Sequence, residues 1–284
     1  MSEKLLNGKA IYSPKGKAGE YAKYACNFYV GCSNDCDYCY CKRGLLGHAM
    51  GKPTPTLKKC FKDYRHAFEV FRKELMANLY ELQQHGLFFT FTSDPFLYET
   101  TGLTIEAVDY AIHKCVPCKL LTKRADFIGH LPIWWSDPMY LNKLAFGFTL
   151  TGMDELERGA STNAERIECM SKLHRLGHKT FASIEPVIYL NESGRMITEA
   201  LGHCDLFKIG LLSGKKNYTR KEVLNFVHNI NQIIREHNRY NGVGVKVYWK
   251  DSVPEFLGMS RDEFPEVTMY AHCVGADYNI FKCE

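Results

Sequence analysis

Short apolar runs alternate with amphipathic stretches along nearly all of this 284-residue chain, and that alternation restricts the fold more than any other feature. Residues 24–30, 87–92, 119–122, 143–151, 180–190, 205–211 and 243–249 read as strands. Residues 64–84, 104–115, 162–176, 195–201 and 219–237 read as helices. Phe68, Phe71, Leu75, Leu79 and Leu82 step by three and four along the first of these. Two helices open on capping boxes, Thr162 with Glu165 and Thr219 with Glu222. Pro186 is expected to end the ladder of the fifth strand, because proline has no N–H to donate. Strands apolar on both faces, alternating with helices, indicate a parallel sheet with helices outside. Seven strands suit an α/β fold built as a partial or full parallel (β/α) barrel better than an open doubly wound sheet, which periodicity does not separate from it; in either the chemistry is expected at the strand C-terminal ends. No linker rich in Pro, Gly or Ser divides the chain. One domain is therefore expected: a core over 21–252, an N-terminal extension over 1–20, and a C-terminal extension over 253–284 packed on the core. Residues 44–56, with Gly44, Gly47, Gly51, Pro53 and Pro55, form a long loop inside that domain.

The composition, 45% hydrophobic and 24% charged, is that of a globular protein and excludes a disordered chain, collagen and a coiled coil. No run approaches the roughly 18 apolar residues of a membrane span. The first residues show no secretory pattern, so a cytoplasmic protein without membrane partners is expected. The net charge is only +4, but residues 1–60 hold ten Lys/Arg against four acids. That basic face either meets phosphates or is simply solvated.

Twelve cysteines are then unexpected, since the cytosol keeps thiols reduced and clustered cysteines there are more often ligands or catalysts. Directly after the first strand, Cys32, Cys36 and Cys39 are spaced C-x3-C-x2-C. Three thiolates so close in sequence can converge on one inorganic centre. A closed zinc site needs four ligands, with Cys41, His48 or the pair Cys115 and Cys118 available to complete it. An ordinary four-iron cluster also takes four thiolates. A cluster held by three leaves one iron open to chemistry. A redox-inert loop is the remaining alternative.

The run Gly31-Cys32-x3-Cys36-x-Tyr38-Cys39-Tyr40 resembles the cluster loop of the radical S-adenosylmethionine (SAM) superfamily, and within it the branch of spore photoproduct lyase and photolyase-like proteins. The resemblance covers roughly residues 20–250. It implies a [4Fe–4S] cluster on Cys32, Cys36 and Cys39, with SAM on the open iron and Tyr38 beside it. Reductive cleavage of SAM would give a 5′-deoxyadenosyl radical that takes hydrogen from a substrate. A low-potential donor such as flavodoxin or ferredoxin is then an expected partner.

Other strand ends fit the same pattern in order. Thr92-Ser93-Asp94-Pro95 resembles the family loop that holds the SAM amino group; its alternative is an ordinary turn. Lys123, or Arg124 beside it, is placed to meet a SAM carboxylate or a substrate anion, or is a plain basic strand end. Thr149 and Thr151 share a strand face and are candidates for a polar contact to SAM. Glu185, an acid in an apolar strand, is expected to be functional. Lys250 and Asp251 either line the barrel mouth or form an internal ion pair. Spore photoproduct lyase uses a hydrogen-donor cysteine, for which Cys60, Cys115 and Cys118 qualify by order alone, so repair of DNA lesions is not implied. Cys115 and Cys118 could hold an auxiliary cluster; the tail adds only His272, Cys273 and Cys283. Trp134-Trp135 and Tyr248-Trp249 could stack on a base or fill cores. The substrate is open: a nucleic acid, a peptide or a small metabolite. The competing readings are a zinc-stabilised nucleic-acid-binding protein without activity and an electron-transfer iron–sulfur module that needs Cys41.

Overall fold

The computed structural model describes residues 4–43, 47–242, 244–264 and 269–282, with the side chains of His48 and Ala49 outside the described set. It divides into two compact units, Met1–Phe146 with Glu155–Ser161, and Gly147–Asp154 with Thr162–Glu284. The first of the three borders falls inside a strand, between Phe146 and Gly147.

The first unit holds β1 (Ile11–Tyr12), β2 (Ala25–Cys26), β3 (Tyr29–Val30), β4 (Thr56–Leu57), β5 (Leu87–Phe89) and β6 (Cys118–Thr122), and begins β7 (Leu144–Thr149). β2, β5 and β6 run parallel, and β1 is added antiparallel to β2. The expected strand over 24–30 is split in two. The buried Asn27 amide donates to the Tyr12 hydroxyl at 2.7 Å and accepts from Thr90 and Phe91, so it leaves the ladder. The chain then turns off as β3 to form a two-stranded ribbon with β4. The expected helix over 64–84 is also two, Tyr64–Ala77 and Leu79–His85. At the break, Asn78 donates its side chain to the Glu74 carbonyl at 2.8 Å, the local competition that makes Asn a poor helix interior. Glu74 meanwhile accepts the backbone N–H of Lys9, Ala10 and Ile11 at 2.7–3.0 Å, which fixes the N-terminal segment where β1 begins. Helix Thr101–His113 covers this part of the sheet with Leu103, Ala107, Val108 and Ala111. Stacked rings, Phe88 on Phe91 at 4.5 Å and Phe96 on Phe127 at 3.8 Å, fill the interior.

The second unit completes β7 and holds β8 (Lys179–Val187), β9 (Leu206–Leu211) and β10 (Lys246–Trp249), the last three parallel. Pro186 does not end β8. A bulge absorbs it: Ile184 pairs with Ile209, and pairing resumes at Val187 with Leu211. Helices Asn163–Arg175 and Arg220–Asn241 start on the two capping boxes, both fully formed. The expected helix at 195–201 begins earlier, as Leu190–Ala200, because Ser193, Met196, Ile197 and Ala200 make one buried face. β10 ends the sheet, and its outer side is covered by the C-terminal segment through Val247 N–H to His272 O and Val274 N–H to Val247 O, both 2.9 Å. The strand order is β1-β2-β5-β6-β7-β8-β9-β10, an α/β sheet that is mostly parallel. Among the described residues no helix is long and apolar enough to cross a membrane.

Candidate functional site

The cysteine loop starts at Gly31, where only glycine fits. Its φ is +90°, and a Cβ there would lie 2.6 Å from the Thr54 carbonyl. Cys32 N–H then donates to the Lys52 carbonyl at 2.9 Å, tying the loop's first thiol to the chain that leads into β4. Cys36 is buried, Cys32 and Cys39 are half-buried, and none of the described cysteines is in a disulfide. Burial pushes the Cys32 thiol up to about 12, with the Asp94 carboxylate adding to the effect. Burial raises Cys36 as well, against the pull of the Lys123 ammonium and with that of Glu157. Cys39 moves the other way. The Cys41 thiol hydrogen-bonds to it and lowers it to about 6, while Cys41 itself is pushed up. Lys123 favours the thiolate at Cys32, Cys36 and Cys39 alike. Its ammonium lies 5.6 Å from the centre of the Tyr38 ring, which sits between Cys36 and Cys39 in sequence.

Asp94 holds this region together. One carboxylate oxygen accepts from Asn34 Nδ2 and from Lys123 N–H, both at 2.8 Å. The other accepts from Phe96 N–H at 3.0 Å and from the Thr122 hydroxyl at 2.7 Å. Asp94 therefore joins the cysteine loop to the ends of two strands, and its four acceptor positions are filled. The buried Ser93 Oγ and Asn34 Oδ1 have no hydrogen-bond partner among the described residues. Ser93 borders a small cavity with Phe28, Tyr29, Phe89 and Thr104.

A further segment, missed by motif reading, lies on the loop. Asp37 N–H donates to Leu156 O at 2.9 Å, and Gly159 N–H to Asn34 O at 3.1 Å. Cys36 and Glu157 form an antiparallel bridge, and the Tyr38 hydroxyl donates to the buried Glu157 carboxylate. Ser161 N–H donates to Lys123 O at 3.0 Å, and Arg124 Nη1 to Gly159 O at 2.5 Å. The only sequence signal was an eight-residue polar stretch, 154–161, between an apolar strand and a capped helix.

The remaining expected residues lie in the second unit with partners of their own. β7 ends at Thr149, whose carbonyl accepts from Arg166 at 2.5 Å. Thr151 therefore lies past the strand rather than on its face, fully buried, with its hydroxyl accepting from Met153 N–H at 3.2 Å. Glu185 pairs with Lys250 at 2.5 Å; the Lys250 side chain is 0% exposed and that of Glu185 17%. Of the two alternatives for Lys250, the internal ion pair is the one formed. Asp251 instead meets Arg261. Lys208, also buried, sits 5.2 Å from the Tyr248 ring centre.

The donors in the first unit suit an iron–sulfur group: three thiols outside any disulfide on one loop, a cation near all three, and the buried polar atoms Ser93 Oγ and Asn34 Oδ1 without partners among the described residues. Among the described residues, no three Cys, His, Asp or Glu side chains converge closely enough to hold a single metal ion. The His48 side chain and Cys283 lie outside the described residues. Cys118 is sealed in β6, where burial raises its thiol, whereas Cys115 is exposed. Trp135 fills the core, Trp134 is half-exposed, and both indole N–H groups point to Asp109.

No family model and no curated protein matches this chain. Solved structures similar to it include SuiB of Streptococcus suis bound to S-adenosylmethionine, with a TM-score of 0.48, 11% identity, and coverage of 80% of this chain and 48% of that one. SuiB bound to its precursor peptide SuiA gives 0.43 and 12%, over 75% and 48% of the two chains. SuiB alone gives 0.43 and 10%, over 64% and 45%. The chain thus spans about half the length of the solved structures it matches.

Proposed function

We propose that this chain is a radical SAM enzyme whose cofactor is held by Cys32, Cys36 and Cys39. The observation that carries the reading is the loop itself: three thiols outside any disulfide at C-x3-C-x2-C spacing, fixed by Asp94 to the ends of β5 and β6. That is where a parallel α/β sheet presents its chemistry. Bound there, a [4Fe–4S] cluster with SAM on its open iron would supply a 5′-deoxyadenosyl radical for hydrogen abstraction.

The chain's own residues have definable tasks. The hydrogen bond from Cys41 shifts Cys39 toward the thiolate, the form a metal ligand requires. Lys123 offsets the negative charge of three thiolates. Asp94 keeps the loop in register with the strand ends, and its role is positioning rather than ligand contact. Tyr38 and Ser93 are the candidates for contact with bound SAM in this unit. The likeness to spore photoproduct lyase and photolyase-like proteins is a likeness of the loop, and it leaves open a nucleic acid, peptide or metabolite as substrate. An external low-potential donor such as flavodoxin or ferredoxin would deliver the electron, in the cytoplasm.

The test is anaerobic reconstitution with iron and sulfide, followed by SAM and a strong reductant. About four irons per chain with release of 5′-deoxyadenosine is the expected result. Stoichiometric zinc in place of iron, with no cleavage of SAM, would overturn the reading in favour of a zinc-stabilised binding domain.

A further inference from the structure

We propose that Glu155–Ser161 is a clamp on the cysteine loop, with Glu157 as the positioning residue that sets Tyr38 and Cys36. The clamp is fitted at the level of the backbone. Leu156 O and Gly159 N–H pair with Asp37 and Asn34, on either side of Cys36. A Cβ on Gly159 would lie 1.9 Å from the Ser33 carbonyl, so the two chains touch where no other residue can be accommodated. Its far end is tied down through Ser161 and the Arg124 contact to Gly159, next to Lys123.

Glu157 is the unusual member. It is 2% exposed, and a buried carboxylate is costly unless it is bonded. Its neighbour Arg158 turns outward to Asp37 at 2.8 Å, whereas Glu157 turns inward to the Tyr38 hydroxyl. Tyr38 is thus held at two points, by a carboxylate at its hydroxyl and an ammonium over its face. The same carboxylate places buried negative charge beside Cys36. Charge and hydrogen bonding around thiolate ligands set the potential of an iron–sulfur centre, and added negative charge makes it harder to reduce. The clamp therefore has two effects, one mechanical and one electrostatic. The electrostatic effect rests on the radical SAM reading; the mechanical effect does not.

Two measurements separate these effects. The first is hydrogen–deuterium exchange of the full-length, reduced, metal-free protein. Glu157→Ala and Tyr38→Phe should each raise exchange over residues 33–41 and 155–161 together, by about tenfold, with the helix Tyr64–Ala77 unchanged. Glu157→Gln keeps an acceptor and should stay near the wild-type rate. The second is the midpoint potential of the reconstituted protein, which Glu157→Gln should raise without loss of iron. If Glu157→Ala loosens the whole unit, Tyr38→Phe decides the mechanical part. Unchanged exchange in that variant, or a rise confined to 155–161, would overturn the clamp. An unchanged potential in Glu157→Gln would overturn the electrostatic role. A wild-type protein that takes up no iron would instead sink the radical SAM reading, with the exchange result still deciding the clamp.

Discussion

Asp94 and Glu185 look alike in the sequence, each an acid before a proline at the end of an apolar strand, yet they are stabilised by different physics. Asp94, in the first unit, is surrounded by four neutral donors, two backbone N–H groups, an amide and a hydroxyl. Glu185, in the second, is ion-paired with the fully buried ammonium of Lys250. A carboxylate shared among several neutral donors loses little when one is removed, and it fixes the directions of the groups that hold it. A carboxylate held by a buried ion pair depends on its charged partner, and removing that partner leaves a charge in poor solvent. The first arrangement suits a frame that holds a loop. The second concentrates charge at a strand end.

The largest effect that would sharpen this contrast is on metal binding. Cys32→Ser, Cys36→Ser and Cys39→Ser should each lose most of the iron on reconstitution, whereas Cys41→Ser should retain it; loss of iron in Cys41→Ser would point to a four-thiolate electron-transfer centre. Next comes the ion pair. Lys250→Met should cost about 3–5 kcal/mol in urea denaturation of the metal-free protein, and adding Glu185→Leu should recover most of it. A small cost for Lys250→Met alone would break the comparison. On the other side of it, Thr122→Val removes one of four donors to Asp94 and should cost about 1–2 kcal/mol; a cost equal to that of Lys250→Met would show that the network fails as a unit.

A pH-dependent effect concerns His272, whose ring burial, with Lys246 and Arg235 nearby, lowers its pKa from an ordinary 6.5 to about 4. The unfolded chain then takes up its proton first as pH falls. The stability due to the neutral ring is complete above about pH 6.5 and declines from there down to about pH 4. A thermal-unfolding series across that window should show the decline, and His272→Gln should flatten it.

Periodicity located the parallel strands and the long helices, because burial on both faces leaves a signal along the chain, but not the two-residue strands β1 and β4. It failed where one side chain overrules its neighbours. Asn27 and Asn78 divert the backbone through their own hydrogen bonds, and the bulge at Pro186 keeps a ladder that proline alone would end. At the candidate site, spacing drew attention to the cysteine loop, and strand ends drew attention to Asp94 and Lys123, which lie beside that loop. The task of each side chain was not legible. That Asp94 is already saturated depends on Asn34 and Thr122, which carry no motif. Glu157 and Gly159 act through contacts with residues distant in sequence, and no local pattern encodes those.

That distance bears on how the protein is made. Glu157 lies 119 positions after the tyrosine it holds. A ribosome delivers the loop thiols first and the segment that braces them much later, after the strands between have been made. The closing contact is also among the slower ones to form, since a long loop must shut before it is rewarded. Thiols that emerge early stay unbraced, and open to stray metals and oxidants, until chain growth has passed Ser161. On the proposed function, iron acquisition would then be a late step in the life of the nascent chain, timed by the order of the sequence itself.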